Sequence, residues 1–220
     1  MKSRAVVKSQ KGQTLIETMV AIFILVIGLG SAIALANYSY QAQDSSSKQV
    51  LAAALARQAV EAVTNMRDTN WLNDTLVDCS SDYGQPAGSG AQFCYKNWLF
   101  AVYALGSGSA GSTGINYALN YNNSNNTFSL GANPANFNLY YNSATGSYTT
   151  NGADLPTVYS RLVNLVQDQS APFSSAEPRL IITVTVWWYD HLCPKASDPS
   201  ALPPSCKVTL VNYLTNWRNY

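Results

Sequence analysis

Three groups of residues in this chain have types and spacings that could do chemistry. Glu17 is a carboxylate placed inside an otherwise uncharged apolar run, where the chemistry on offer is pairing with an amine. Cys79, Cys94, Cys193 and Cys206 fall into two close pairs, which suits disulfide formation or, with other donors, metal binding. His191 is the single histidine and lies between Asp190 and Cys193, where it reads as a residue at a strand end. No G-x-S-x-G, H-E-x-x-H or Walker pattern occurs. The glycine-rich stretch Gly106–Gly114 lacks the lysine and the following helix that a phosphate loop needs, so it reads as a loop. The chain is therefore expected not to be an enzyme and to use no cofactor.

The cysteines favour disulfides over zinc. Neither pair has C-x-x-C spacing, and one histidine is too few to complete a site around either. Four cysteines allow three connectivities. Cys79–Cys94 and Cys193–Cys206 are the preferred pairs because each closes a short loop, and each could contribute roughly 3 kcal/mol on the loop-entropy argument. No metal is expected.

The elements that must position these groups begin with a short basic leader. Lys2, Arg4, Lys8 and Lys11 precede the apolar run, and thirteen basic residues stand against twelve acidic ones in the whole chain. A net charge of +1 argues against nucleic acid as a partner. Thr18–Ala36 carries no charge and matches one bilayer core in length at about 1.5 Å per helical residue. Basic residues before it and none soon after place the N-terminus in the cytoplasm. A cleaved signal peptide or a plain signal anchor would share this profile, with Ala34-Leu35-Ala36 able to pass as a cleavage site. Neither explains Glu17. A carboxylate there costs about 2.5 to 3.5 kcal/mol on insertion scales, which marks it as functional unless it snorkels to the interface.

Beyond a polar patch at Gln41–Gln49, apolar residues recur at Val50, Leu51, Ala54, Leu55, Ala59, Ala62, Val63 and Met66. Spacings of three and four predict one helix face. A single helix from about Leu15 to about Asp68 follows, on the order of 80 Å long, apolar all round in its first half and amphipathic in its second. Gly28 and Gly30 each weaken it by about 1 kcal/mol relative to alanine, although glycine is common in membrane helices.

Residues 70–96 read as irregular, and 104–154 as loops with short strands. One hairpin is expected from Phe137–Asn142 against Ser147–Thr150, turning at Ala144-Thr145-Gly146. Thr157–Gln167, Arg179–Tyr189 and Lys207–Tyr213 read as strands of an antiparallel sheet. Ile182, Val184, Val186 and Trp188 face one way, and Ile181, Thr183, Thr185 and Trp187 the other. Cys193 and Cys206 clip the last connection, and Pro199, Pro203 and Pro204 keep that connection out of the sheet. Hydrophobic residues make up 47% of the chain and charged ones only 11%, so the polar surface is built from Ser, Thr, Asn, Gln, Gly and Tyr. Such a surface suits an exported protein.

Residues 11–17 read K-G-Q-T-L-I-E. With the basic leader before and the apolar helix after, this resembles the cleavage and methylation motif of type IV prepilins and type II secretion pseudopilins. The segment LARQAVEAV at 55–63, the strand ending Trp187-Trp188-Tyr189 and Leu214-Thr-Asn-Trp217-Arg are similar to minor pilins, type IV pilus modification proteins and related minor pseudopilins. The resemblance implies a pilin fold, an α+β arrangement of a long N-terminal helix packed on a C-terminal antiparallel sheet. It implies a leader 1–12 removed by prepilin peptidase between Gly12 and Gln13, and N-methylation of Gln13. The family usually has phenylalanine or methionine where this chain has Gln13, a departure that bears on methylation. Glu17 matches the glutamate that pairs with the N-terminal amine of a neighbouring subunit. Local melting near Gly28–Gly30 on entering a filament is also implied.

The expected organisation is therefore leader 1–12, transmembrane half 13–36, amphipathic half 37–68 and an extracytoplasmic sheet domain 69–220. The expected role is a minor pilin. Its partners would be other pilins or pseudopilins, the peptidase and the cytoplasmic (inner) membrane, with the mature protein in a cell-surface pilus or envelope filament. A pseudopilin of a secretion or DNA-uptake system and a signal-anchored surface adhesin are the rival readings.

Overall fold

The computed structural model describes residues 15–73, 98–99, 103, 105, 114–122, 124–132, 134–173 and 179–216. By contacts the chain divides into two units, Met1–Ser47 and Lys48–Tyr220. One helix, α1, spans Leu15–Asn73, and an antiparallel β-sheet follows it, an α+β arrangement like the pilin fold.

The helix runs beyond Asp68, and residues 70–73 are helical rather than irregular. The cause is tertiary. Asn70 and Trp71 are buried and continue the stripe that ends, in the sequence reading, at Met66. The stripe itself also needs correction. Val50 and Ala54 are exposed, and Ala52 and Ala56 are buried instead. At 3.6 residues per turn Val50 stands opposite Ala59 on the helix, whereas Ala52 is nearly in line with it. The buried set is thus Ala52, Leu55, Ala56, Ala59, Ala62, Val63 and Met66. Four of these are alanines, and they share one core cluster with the inward residues of the sheet.

Among the described residues the sheet has seven strands: β1 (Ile115–Asn122), β2 (Thr127–Ala132), β3 (Asn138–Asn142), β4 (Ser147–Thr149), β5 (Leu155–Asp168), β6 (Arg179–Trp188) and β7 (Lys207–Leu214). All pairings are antiparallel. β5 is the hub. One edge pairs with β6 from Tyr159 to Asp168, and β6 pairs in turn with β7. The other edge serves two partners in succession, β3 beside Leu155–Ser160 and β1 beside Val163–Leu165. The eight-residue β1 lies within a stretch read from sequence as loops with short strands, because its Tyr and Asn content masks the alternation Tyr117, Leu119, Tyr121 on the core side.

The hairpin β3–β4 forms as expected, with Asn142 opposite Ser147. Its turn follows from local chemistry. The Asn142 side-chain oxygen accepts the N–H groups of Ala144 and Thr145 at 3.0 and 3.1 Å, and Gly146 closes the turn at φ 69°. Gly114 enters β1 at φ 61°, and a Cβ there would sit 2.5 Å from a Val166 methyl, so only glycine fits.

The face of β6 predicted to be apolar is the core face: Ile182, Val184, Val186 and Trp188 are buried against the helix stripe. On the opposite face Trp187 is also buried, because the β6–β7 connection folds over it. Its indole N–H donates to the Ala196 carbonyl at 2.9 Å, and Lys207 Nζ donates to the Pro199 carbonyl at 2.7 Å. The prolines of that connection form two short 3-10 turns, Pro199–Ala201 and Pro204–Cys206, and the Cys193–Cys206 disulfide closes it.

Candidate functional site in the apolar helix

Residues 15–36 contain thirteen large apolar side chains, from Leu15 to Leu35, and each is more than half exposed. A helix that is apolar all round and exposed requires an apolar environment, either lipid or other helices. It is long and apolar enough to cross a membrane, a property it shares with signal sequences.

Only three side chains in this segment are polar, and two are satisfied locally. Thr18 Oγ1 donates to the Leu15 carbonyl at 2.8 Å, and Ser31 Oγ donates to the Gly28 carbonyl at 2.9 Å. Such back-bonds remove hydroxyls from competition in lipid. Glu17 is the exception. It stands exposed in the first helical turn and has no partner among the described residues. A carboxylate is favourable there toward the helix N-terminal dipole but remains costly in lipid. The helix is continuous through Gly28 and Gly30, and a Cβ at either would meet nothing within 4 Å.

In the second unit three polar devices tie the helix to the segments packed on it, and none was singled out from sequence. Arg161 on β5 is only 1% exposed. Its guanidinium donates to Gln58 Oε1 at 2.9 Å and to the Leu119 carbonyl at 3.1 Å, while its Nε has no partner. Burial lowers its pKa to about 10. Asn70 donates to the carbonyls of Trp98 and Tyr103 and accepts the Tyr103 N–H, all within 2.9 Å. Lys48 donates to Asp190 at 3.0 Å. Burial raises the Asp190 carboxyl, but hydrogen bonds from Lys48 and from the N–H groups of Leu192 and Cys193 outweigh it, holding the group below its usual range. A signal existed for Arg161 alone. It occupies the inward parity of a strand whose other inward residues, Val163 and Leu165, are apolar.

The remaining expected site residues divide cleanly. Cys193 and Cys206 are joined, at 5.5 Å between Cα atoms. Cys79 and Cys94 lie outside the described residues, as do Gly12 and Gln13. His191 is exposed just past β6. Among the described residues no cluster of His, Cys, Asp and Glu could hold a metal ion.

Comparison with known families gives one match: residues 7–33 fit the prokaryotic N-terminal methylation motif. No curated protein and no solved structure matched the chain. The motif spans the Gly12–Gln13 bond, Glu17 and most of the exposed apolar segment. The chain thus carries a prepilin-type N-terminal methylation motif leading into a long apolar helix, consistent with a type IV pilin-like protein.

Proposed function

We propose that this chain is a minor pilin, a structural and non-enzymatic subunit cut between Gly12 and Gln13 and assembled through its N-terminal helix. The observation that carries the reading is the company Glu17 keeps. It is the one polar side chain of residues 15–36 not satisfied by the helix itself, and it lies within the matched motif. Cleavage at Gly12 creates an amine four residues before it. That amine cannot reach its own Glu17 across a rising turn without distorting the turn, whereas a neighbouring subunit shifted along the helix axis can present one without strain. The ion pair forms on assembly, in an apolar setting where it is worth more than at a surface. Before assembly the subunit resides in the cytoplasmic membrane with its N-terminus on the cytoplasmic side; afterwards it belongs to a cell-surface filament.

The test is expression beside a pilus machinery, with the mature N-terminus read by mass spectrometry and sheared filaments compared with membranes. A mature chain beginning at Gln13, methylated, is expected. Glu17→Val is expected to insert, fold and be cleaved, yet to enter filaments poorly, with Glu17→Asp intermediate. An N-terminus at Met1 or after Ala36 overturns the pilin reading. Normal incorporation of Glu17→Val overturns the pairing. Recovery only with a secretion or uptake apparatus would make it a pseudopilin.

A further inference from the structure

The shared edge of β5 leaves a notch between the two hairpins. Because β1 and β3 lie end to end along one strand, the hairpins β1–β2 and β3–β4 flank a groove of about 550 Å³. Asn120, Asn122 and Ser129 line it from the first hairpin, and Thr150, Asn151 and Asp154 from the end of the second. The walls are tied together: Thr150 Oγ1 donates to the Asn120 side-chain oxygen.

The lining selects a ligand class by exclusion and by fit. Among the described residues it holds no lysine, arginine or histidine, so it offers an anion no counter-charge. Its single carboxylate is already engaged, with Asp154 accepting from Asn142 Nδ2 at 2.9 Å and from Thr149 Oγ1. A single carboxylate already bonded to the wall is a poor ligand set for a hard cation, which takes about six or more oxygens. An apolar ligand would strand the amides and hydroxyls without partners. What fits is a neutral molecule carrying several hydroxyl groups.

The donors are also pre-set. Asn122 Oδ1 accepts the Ser124 N–H at 2.9 Å, and Asn151 Oδ1 accepts the Ala153 N–H at 3.1 Å. Each backbone bond fixes which end of the amide is oxygen, and leaves the NH₂ group for a ligand. Rigid amides and hydroxyls suit the vicinal hydroxyls of a sugar, and little ordering is required on binding.

We infer that the groove between the two hairpins binds a neutral carbohydrate of about two or three residues. The filament reading does not depend on it.

The experiment uses the full chain in lipid nanodiscs, free of sugar-based detergents, titrated with lactose, maltotriose and diacetylchitobiose by ligand-observed NMR. Sialyllactose is the anionic comparator. At least one neutral saccharide should bind with a Kd on the order of 1 mM, and more tightly than sialyllactose. Ser129→Trp, an exposed strand position that fills the groove, should weaken binding at least about tenfold, while Val211→Trp on β7 leaves it unchanged. Asn151→Ala removes one donor and should weaken binding about fivefold; it decides the matter if the tryptophan variant misfolds. Failure of all three neutral saccharides, preference for sialyllactose, or binding that ignores both groove variants overturns the assignment.

Discussion

Lys48 on α1 donates to Asp190, two residues past the end of β6, across 3.0 Å. Both side chains are largely buried, at 17% and 10% exposure. The same carboxylate accepts the N–H groups of Leu192 and Cys193 at 2.8 and 2.9 Å. The helix is thereby joined to the start of the disulfide-closed connection, a link between residues 142 positions apart.

That asymmetry sets the first expectation. Lys48→Met keeps an apolar stem and removes one donor, and should cost about 1 kcal/mol. Asp190→Ala removes the acceptor for three donors and should cost about 2–3 kcal/mol. Urea unfolding of the full chain, followed by fluorescence of the buried tryptophans, measures both. Equal losses would mean the carboxylate's backbone bonds contribute nothing.

Arg161 is a buried cation held by neutral acceptors, with no carboxylate among its partners. Gln58→Ala therefore strands a charge and should destabilise by about 1–3 kcal/mol. In an Arg161→Met background the same change should cost much less, because the charge is gone, and Arg161→Met itself should be near neutral or stabilising. Additive losses across this double-mutant cycle would refute the coupling between Arg161 and Gln58.

The Asn70 amide makes two donations and one acceptance that hold the chain at Trp98 and Tyr103. Asn70→Ala should cost about 2–3 kcal/mol. Asn70→Asp should be worse despite its similar shape, since it points a carboxylate at two carbonyl oxygens. Thermal melts in near-ultraviolet circular dichroism rank the two, and an aspartate variant as stable as the parent rules this arrangement out.

Asp168 carries the clearest acid response. Hydrogen bonds from Ser170, then the Arg179 guanidinium, lower its pKa from 3.8 to about 2. A carboxyl whose folded pKa is depressed binds protons more weakly folded than unfolded. Its contribution is thus present above about pH 4 and is lost as pH falls toward 2. Asp168→Asn should flatten the fall in melting temperature between those values and lower the melting temperature at pH 7. An unchanged acid slope in the variant is the contrary result.

The sequence alone determined the features written in local pattern. An uncharged run as long as a bilayer, a basic leader and the K-G-Q-T-L-I-E motif are contiguous, so no folding is needed to read them. The strands β5 to β7 were legible because alternation with branched and aromatic residues is a short-range signal. Cys193 and Cys206 are near neighbours in the chain, and proximity named the pair.

Tertiary structure decided what depends on distant partners. Whether Val50 or Ala52 is buried turns on which helix face meets the sheet, and hydrophobicity points to the larger residue while packing chose the smaller. Asn70 extends the helix because its amide finds carbonyls some thirty positions away. Arg161 is tolerated in the core because Gln58 and the Leu119 carbonyl converge on it across the helix–sheet interface. The groove between the hairpins exists only because β5 shares one edge between two partners. No local pattern encodes such a convergence, since hydrogen-bond satisfaction of a buried group is a property of the assembled fold.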